Sequence, residues 1–290
     1  MNSETIKHQT YVPEIDPNYV PFGFNNDLTK IIKSRIFYPM LITGDHGSGK
    51  TKMVEQVHAR LNKNLVRINI SIDTDENDLI GGQTLVDGNV KFIDGPILTC
   101  MRTGSSLLLD EVDRGTSKLL AILSILEGSS FLVKKTGELI HPKEGFTVVA
   151  TANTKGFGED PKYLAQILDT AFLERFGITV EQQYPTAAIE TKILEKVLDD
   201  DVFIKDLIKW ANIIRLTYQQ GGIDDQISTR RLLHIAKAYN IFNDKKKAVE
   251  LCVARFEEDT KLAFLDLYSK VISGEDLDDE FLETEDEMPF

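Results

Sequence analysis

The chain has 290 residues, enough for one large domain or two smaller ones, and its 42% apolar and 27% charged content is ordinary for a soluble globular protein. Its formal charge of −13 argues against a broad nucleic-acid or membrane-binding face, because phosphate surfaces demand clustered Lys and Arg.

Five apolar runs of strand length appear in chain order, at residues 37–43, 64–70, 105–110, 146–152 and 177–183. Between the first two, KTKMVEQVHARLN sets Met53, Val57 and Leu61 on one helical face. A second helix is expected over 117–128, SKLLAILSILEG, with Gly128 as its C-cap. Strands alternating with helices predict an α/β fold, an αβα sandwich around a parallel sheet. Two stretches interrupt the alternation. TLVDGNVKF (84–92) and FLVKKTGELI (131–140) place Asp87-Gly88 and Thr136-Gly137 between short apolar runs, the pattern of inserted β-hairpins. After Pro185 the spacing turns helical. Residues 1–183 are therefore expected to form the α/β domain and 184–272 a small all-helical domain, followed by an acidic, mobile tail at 273–290.

The stretch GDHGSGKT (44–51) lies between an expected strand and an expected helix. The pattern Gly44-x4-Gly49-Lys50-Thr51 fits a phosphate-binding loop. Glycines let the backbone curl so that the amides of Gly44, Asp45, His46, Gly47, Ser48 and Gly49 face phosphate oxygens, and the helix start adds its positive dipole end. In such loops the lysine, here Lys50, reaches the β- and γ-phosphates of a nucleotide, and the hydroxyl of Thr51 holds Mg²⁺. Asp110 ends an apolar strand and can hold the metal's water shell beside Thr51, and Glu111 can polarise water for attack on the γ-phosphate. Asn153, after another apolar strand, is placed to orient that water. Arg175, just before the last strand, is a candidate for entering a neighbouring subunit's site, and Arg230 is a candidate for sensing the γ-phosphate from the helical domain, with Arg231 competing by position. The cofactors expected are ATP and magnesium. The five histidines and two cysteines have no metal-ligand spacing, and Cys100 and Cys252, far apart in apolar runs, are expected to be buried free thiols of a reducing compartment. MNSETIKHQT has no apolar signal core and no run approaches the ~20 apolar residues of a membrane span, so a cytoplasmic protein is expected.

Phosphate loop, Asp-Glu pair, Asn and two arginines in this order resemble an AAA+ ATPase. The two hairpins resemble the inserts of the MoxR branch, and DLIGGQTLVDGNVKFIDGPILTCMRTG is similar to its first insert. YVPEIDPNYV, GDHGSGKT, EQVHARLNKNLVRINI, DLIGG and ATANTKGFG resemble sequences of the cobaltochelatase CobS type, and together the likeness spans most of residues 11–235. The resemblance implies an oligomeric ring, often hexameric, with ATP between subunits. It also implies that Lys50 and Thr51 bind phosphate and Mg²⁺ and that Asp110 and Glu111 serve metal and water. By the same likeness Asn153 is sensor one, Arg175 the arginine finger and Arg230 sensor two. Relatives commonly pair with a protein bearing a von Willebrand-type metal-adhesion domain. In the chelatase, hydrolysis drives cobalt insertion into a corrin held by a separate large subunit. Two other readings are open on sequence. One is a nucleotide-gated assembly module that docks through the acidic tail. The other is a nucleic-acid motor using Lys134-Lys135 in the second hairpin, against which the acidic balance weighs.

Overall fold

A computed structural model describes residues 11–154 and 168–274, so the acidic stretch beyond Gly274 and the TKGFG run after Asn153, apart from Thr154, lie outside the described residues. The chain divides into two units, one running to Pro17 and resuming over Pro21–Gln183, the other made of Asn18–Val20 and the residues from Tyr184 onward.

In the first unit, α1 (Asn25–Ser34), β1 (Met40–Thr43), α2 (Lys50–Arg60), β2 (Leu65–Asn69), α3 (Glu76–Ile80), β3 (Gly81–Val86), β4 (Asn89–Asp94), α4 (Pro96–Thr103) and β5 (Ser106–Asp110) come first. They are followed by two 3-10 turns, then α5 (Leu123–Leu126), β6 (Phe131–Val133), β7 (Glu138–Ile140), β8 (Thr147–Thr151), α6 (Thr170–Leu173) and β9 (Ile178–Glu181). Five strands form one parallel sheet in the order β2-β5-β8-β1-β9. The inner strands MLIT, SLLLD and TVVAT are buried at every position. That is why they read as unbroken apolar runs: a parallel sheet is covered on both faces. The flanking strands β2 and β9 are only partly buried along their length. From α2, Met53, Val54 and Val57 are buried, while Leu61 falls just past the helix end and is half-buried.

The segment 117–128 departs from the expected single helix. It is a 3-10 turn over Ser117–Ile122 followed by the short α5. Its buried residues explain this. In the 3-10 turn the buried residues Leu119 and Ile122 are three apart and so lie on one face of a three-residue turn, while α5 buries the adjacent Ile125 and Leu126.

Both inserts are hairpins. β3 and β4 pair from Gly81↔Asp94 to Val86↔Asn89, and Asp87 and Gly88 both have positive φ (51° and 75°), the two-residue turn that matches strand twist. β6 and β7 pair from Phe131↔Ile140 to Val133↔Glu138. The two hairpins are tied together. Arg102 Nε bonds Asp94 Oδ2 at 2.6 Å while its Nη1 and Nη2 take both oxygens of Glu138 at 2.6 Å. Lys135 Nζ donates to Asn77 Oδ1 and, at 3.4 Å, to Gly81 O, so this lysine is exposed but tied to the base of the first hairpin.

The second unit holds α7 (Ala187–Leu194), α8 (Asp201–Gln219), α9 (Thr229–Phe242), α10 (Lys245–Val253) and α11 (Glu258–Ser273). Its core gathers Phe203, Trp210, Leu232, Phe264 and Tyr268, with Trp210 Nε1 donating to Phe264 O at 2.9 Å. A charged knot crosses this core. Arg215 forks onto Glu190 at 2.8 and 2.9 Å, and Thr229 Oγ1 donates to Glu190 Oε1 at 2.6 Å. Arg215 also donates from Nε to Ile227 O at 2.7 Å and stacks on Tyr184. Among the described residues no helix is long and apolar enough to cross a membrane. Cys100 is buried as expected, but Cys252 is half-buried, because α10 turns only part of that position inward.

Candidate nucleotide site

The site forms where β1, β5 and β8 end, the side of a parallel sheet on which ligands bind. Gly44 leaves β1 with φ 134°, and a Cβ there would lie 2.2 Å from Gln182 O, so only glycine fits. Ser48 is buried and its Oγ has no hydrogen-bond partner among the described residues. Half of Phe22 is buried, and it lies against Gly49, where an added Cβ would meet its ring at 3.3 Å.

Lys50 opens α2 and is 7% exposed. Its Nζ donates to Gly44 O at 2.5 Å, Asp45 O at 2.9 Å and Asn153 Oδ1 at 3.2 Å. Thr51 Oγ1 donates to Asp110 Oδ1 at 2.8 Å. Thr151 Oγ1 donates to the same oxygen at 2.5 Å, and Arg67 Nη2 takes Asp110 Oδ2 at 2.6 Å. Asp110 is 3% exposed, and these donors offset its desolvation. The threonine hydroxyl and the carboxylate are hard oxygen donors of the kind magnesium takes alongside nucleotide phosphates. Among the described residues no group of three or more His, Cys, Asp or Glu could hold a metal alone.

Glu111 adopts the left-handed conformation (φ 59°), uncommon for a residue with a side chain. Its N–H donates to Thr151 Oγ1 at 3.0 Å, and its carboxylate pairs with Arg114 Nε at 2.9 Å. Asp113 is 1% exposed, and its Oδ2 accepts the N–H groups of Asn153 (2.8 Å) and Thr154 (3.0 Å) and the Thr154 hydroxyl (3.2 Å). The turn after β5 and the turn after β8 are thereby held together. Burial lowers the pKa of His46, the Lys50 ammonium adds to this, and Glu111 and Asp113 oppose it more weakly.

Two hydrogen-bonded groups thus form at these strand ends, Lys50 with Asn153 and Thr51 with Asp110, and Glu111 is bonded to the second through Thr151. Arg175 does not join them. Gly177 N–H bonds Pro39 O, so Arg175 lies at the start of β9 beside the start of β1, about 13 Å of strand away from the phosphate loop at the other end of β1. Its Nε pairs with Glu127 Oε1 at 2.7 Å. Arg230 is the second residue of α9 and is exposed, whereas Arg231 is half-buried. The sequence reading missed Arg67, Thr151 and Asp113. The signals were present but slight: a basic residue in the middle of β2, a hydroxyl at the last position of β8, and a third acid in DEVDR.

Residues 39–176 match the model of an AAA domain (dynein-related subfamily), and residues 190–266 match a CbbQ/NirQ/NorQ C-terminal model. An uncharacterized protein of Staphylococcus saprophyticus is 30% identical over 203 residues, 67% of this chain and 74% of that protein. The chain is a MoxR-like member of the AAA+ family. Another relative of this AAA+ protein is the aerobic cobaltochelatase subunit CobS of a Sinorhizobium species, 27% identical over 254 residues, which are 82% of this chain and 76% of CobS. Among solved structures, the RuvB Holliday junction branch migration motor of Thermotoga maritima aligns with a TM-score of 0.50 at 17% identity, over 89% of this chain and 72% of that one, a likeness of fold.

Proposed function

We propose that this AAA+ protein binds Mg-ATP and hydrolyses it at the subunit interfaces of a ring, and that the cycle remodels or activates a partner protein. The observation that carries the reading is the cluster of Lys50, Thr51, Asp110 and Asn153 at the ends of β1, β5 and β8. Its lysine is turned back onto loop carbonyls, in reach of where phosphates would lie. The amides of 44–49 and Lys50 bind phosphate, and Thr51 and Asp110 hold magnesium, which neutralises charge on the phosphates when bound. Glu111 polarises the attacking water, and Asn153 orients it. Arg175, a strand length from its own phosphate loop, suits a finger that enters the neighbour's site. Arg230 senses the γ-phosphate, and the helical unit from residue 184 moves with nucleotide state. By likeness to CobS, the partner is a protein with a von Willebrand-type metal-adhesion domain, a cobaltochelatase role is one form of the activity, and the free thiols suit the cytoplasm.

Glu111→Gln is expected to keep ATP binding and lose turnover by a factor of about 10²–10⁴. Normal hydrolysis by that variant would refute the assignment. Mixing Lys50→Ala with Arg175→Ala subunits should recover part of the activity, because some interfaces then pair an intact site with an intact finger. No recovery in mixed rings verified by mass would refute a shared site.

A further inference from the structure

Asp110 accepts two neutral hydroxyls on Oδ1 but a full positive charge on Oδ2. That charge is the planar guanidinium of Arg67, a donor with no acceptor atom. It is fixed at both ends of its fork, with Nη2 on Asp110 and Nη1 on Glu55 Oε1 at 3.0 Å, so it bridges β5 and α2. Arg67 lies in register with Leu108, two positions before the Asn69↔Asp110 pair, and its side chain runs along the strand to reach the carboxylate. The Arg67 side chain as a whole is 41% exposed and lines a cleft of about 460 Å³ together with Tyr11, Lys52 and Glu55. A permanent cation therefore approaches, from the solvent side, the carboxylate that the proposed function gives to magnesium.

Two cations at one carboxylate repel each other, and the repulsion is strong in a partly buried setting. We propose that Arg67 is a positioning residue that sets the metal demand of the nucleotide site. It neutralises the buried Asp110, keeps Oδ1 turned toward Thr51, and opposes a divalent ion until nucleotide phosphates bring negative charge of their own. The inference rests on Asp110 being the metal-side carboxylate. Its consequence is that metal and nucleotide enter together.

The test is Mn²⁺ binding to the full chain saturated with a non-hydrolysable ATP analogue, read from the free-ion electron paramagnetic resonance signal. Arg67→Gln keeps a donor and removes the charge, so Mn²⁺ half-saturation should fall about tenfold. Arg67→Lys keeps the charge and should stay within about twofold of the wild type. Glu55→Gln keeps an acceptor for Nη1 and strips the guanidinium of half its compensation, so half-saturation should rise about threefold. A merely structural arginine would weaken metal binding in both arginine variants and leave E55Q unchanged, and that pattern would overturn the proposal. An unchanged R67Q would overturn it as well. Asp110→Asn separates the two levels. If it binds Mn²⁺ as the wild type does, the metal assignment of Asp110 fails. If it loses Mn²⁺ while R67Q does not shift, only the role of Arg67 fails.

Discussion

Replacing Glu190 by alanine strips three hydrogen bonds from the interior of the helical unit, two from Arg215 and one from Thr229. Arg215 keeps its bonds to Ile227 O and Asn212 Oδ1 and its stack on Tyr184, but its charge loses its counter-ion where the side chain is only 7% exposed. Removing one member of a buried pair costs about 3–5 kcal/mol, whereas replacing both by apolar groups is often neutral. The partners that survive put E190A at the lower end, about 3 kcal/mol. With a urea slope of about 1.5 kcal/mol per molar, the unfolding midpoint falls by about 2 M. The assay is built into the chain. Trp210 is the one tryptophan of the sequence and is fully buried in the same unit, so its fluorescence follows that unit's unfolding. The double variant Glu190→Leu with Arg215→Met should recover more than half of the loss. If E190A moves the midpoint by less than about 0.5 M, or the double variant falls as far as the single one, an uncompensated charge is not what Glu190 prevents.

His58 is fully buried, with Nδ1 on Val54 O at 2.8 Å and Nε2 without a hydrogen-bond partner among the described residues, and burial lowers its pKa to about 4. The unfolded chain takes up that proton first as pH falls, so stability is complete above about 6.5, declines between there and about 4, and is flat below. The loss is about 3 kcal/mol, and circular dichroism of urea unfolding at several pH values should show His58→Asn with a flatter profile by that amount; parallel profiles would count against it. For the hairpin tie, Arg102→Ala should speed amide exchange in residues 81–94 and 131–140 about fivefold at neutral pH, the equivalent of about 1 kcal/mol for a partly exposed pair. The hydrogen bond from Arg102 lowers the Glu138 pKa, so this contribution is present above the ordinary carboxylate range and disappears as pH falls through the lowered value. Exchange that is unchanged at neutral pH, or a difference that persists in acid, would remove Arg102 as the tie.

What was legible in the sequence was whatever repeats locally. The buried strands show as apolar runs because each of their side chains meets a covered face, and Asp87-Gly88 announces a hairpin because few residues tolerate two successive positive φ angles. Glycine spacing located the loop whose lysine and threonine meet Asn153 and Asp110. The missed residues act over long sequence distances. Arg67 and Thr151 reach Asp110 from 43 and 41 residues away, across neighbouring strands, and no local period records such a meeting. Segment 117–128 differs for another reason: its apolar residues satisfy a loose helical template, and its first six take the tighter turn, with Leu119 and Ile122 three apart on the buried face.

The arginine between the two hairpins also bears on how mechanical load would travel. A pull on either tip is divided at Arg102 between two roots. One root runs through β4 and α4 into β5, which ends at Asp110, and the other runs from β7 into β8, which ends at Thr151 and is followed by Asn153. Whatever tugs on one loop is felt at two strand ends that already share a carboxylate.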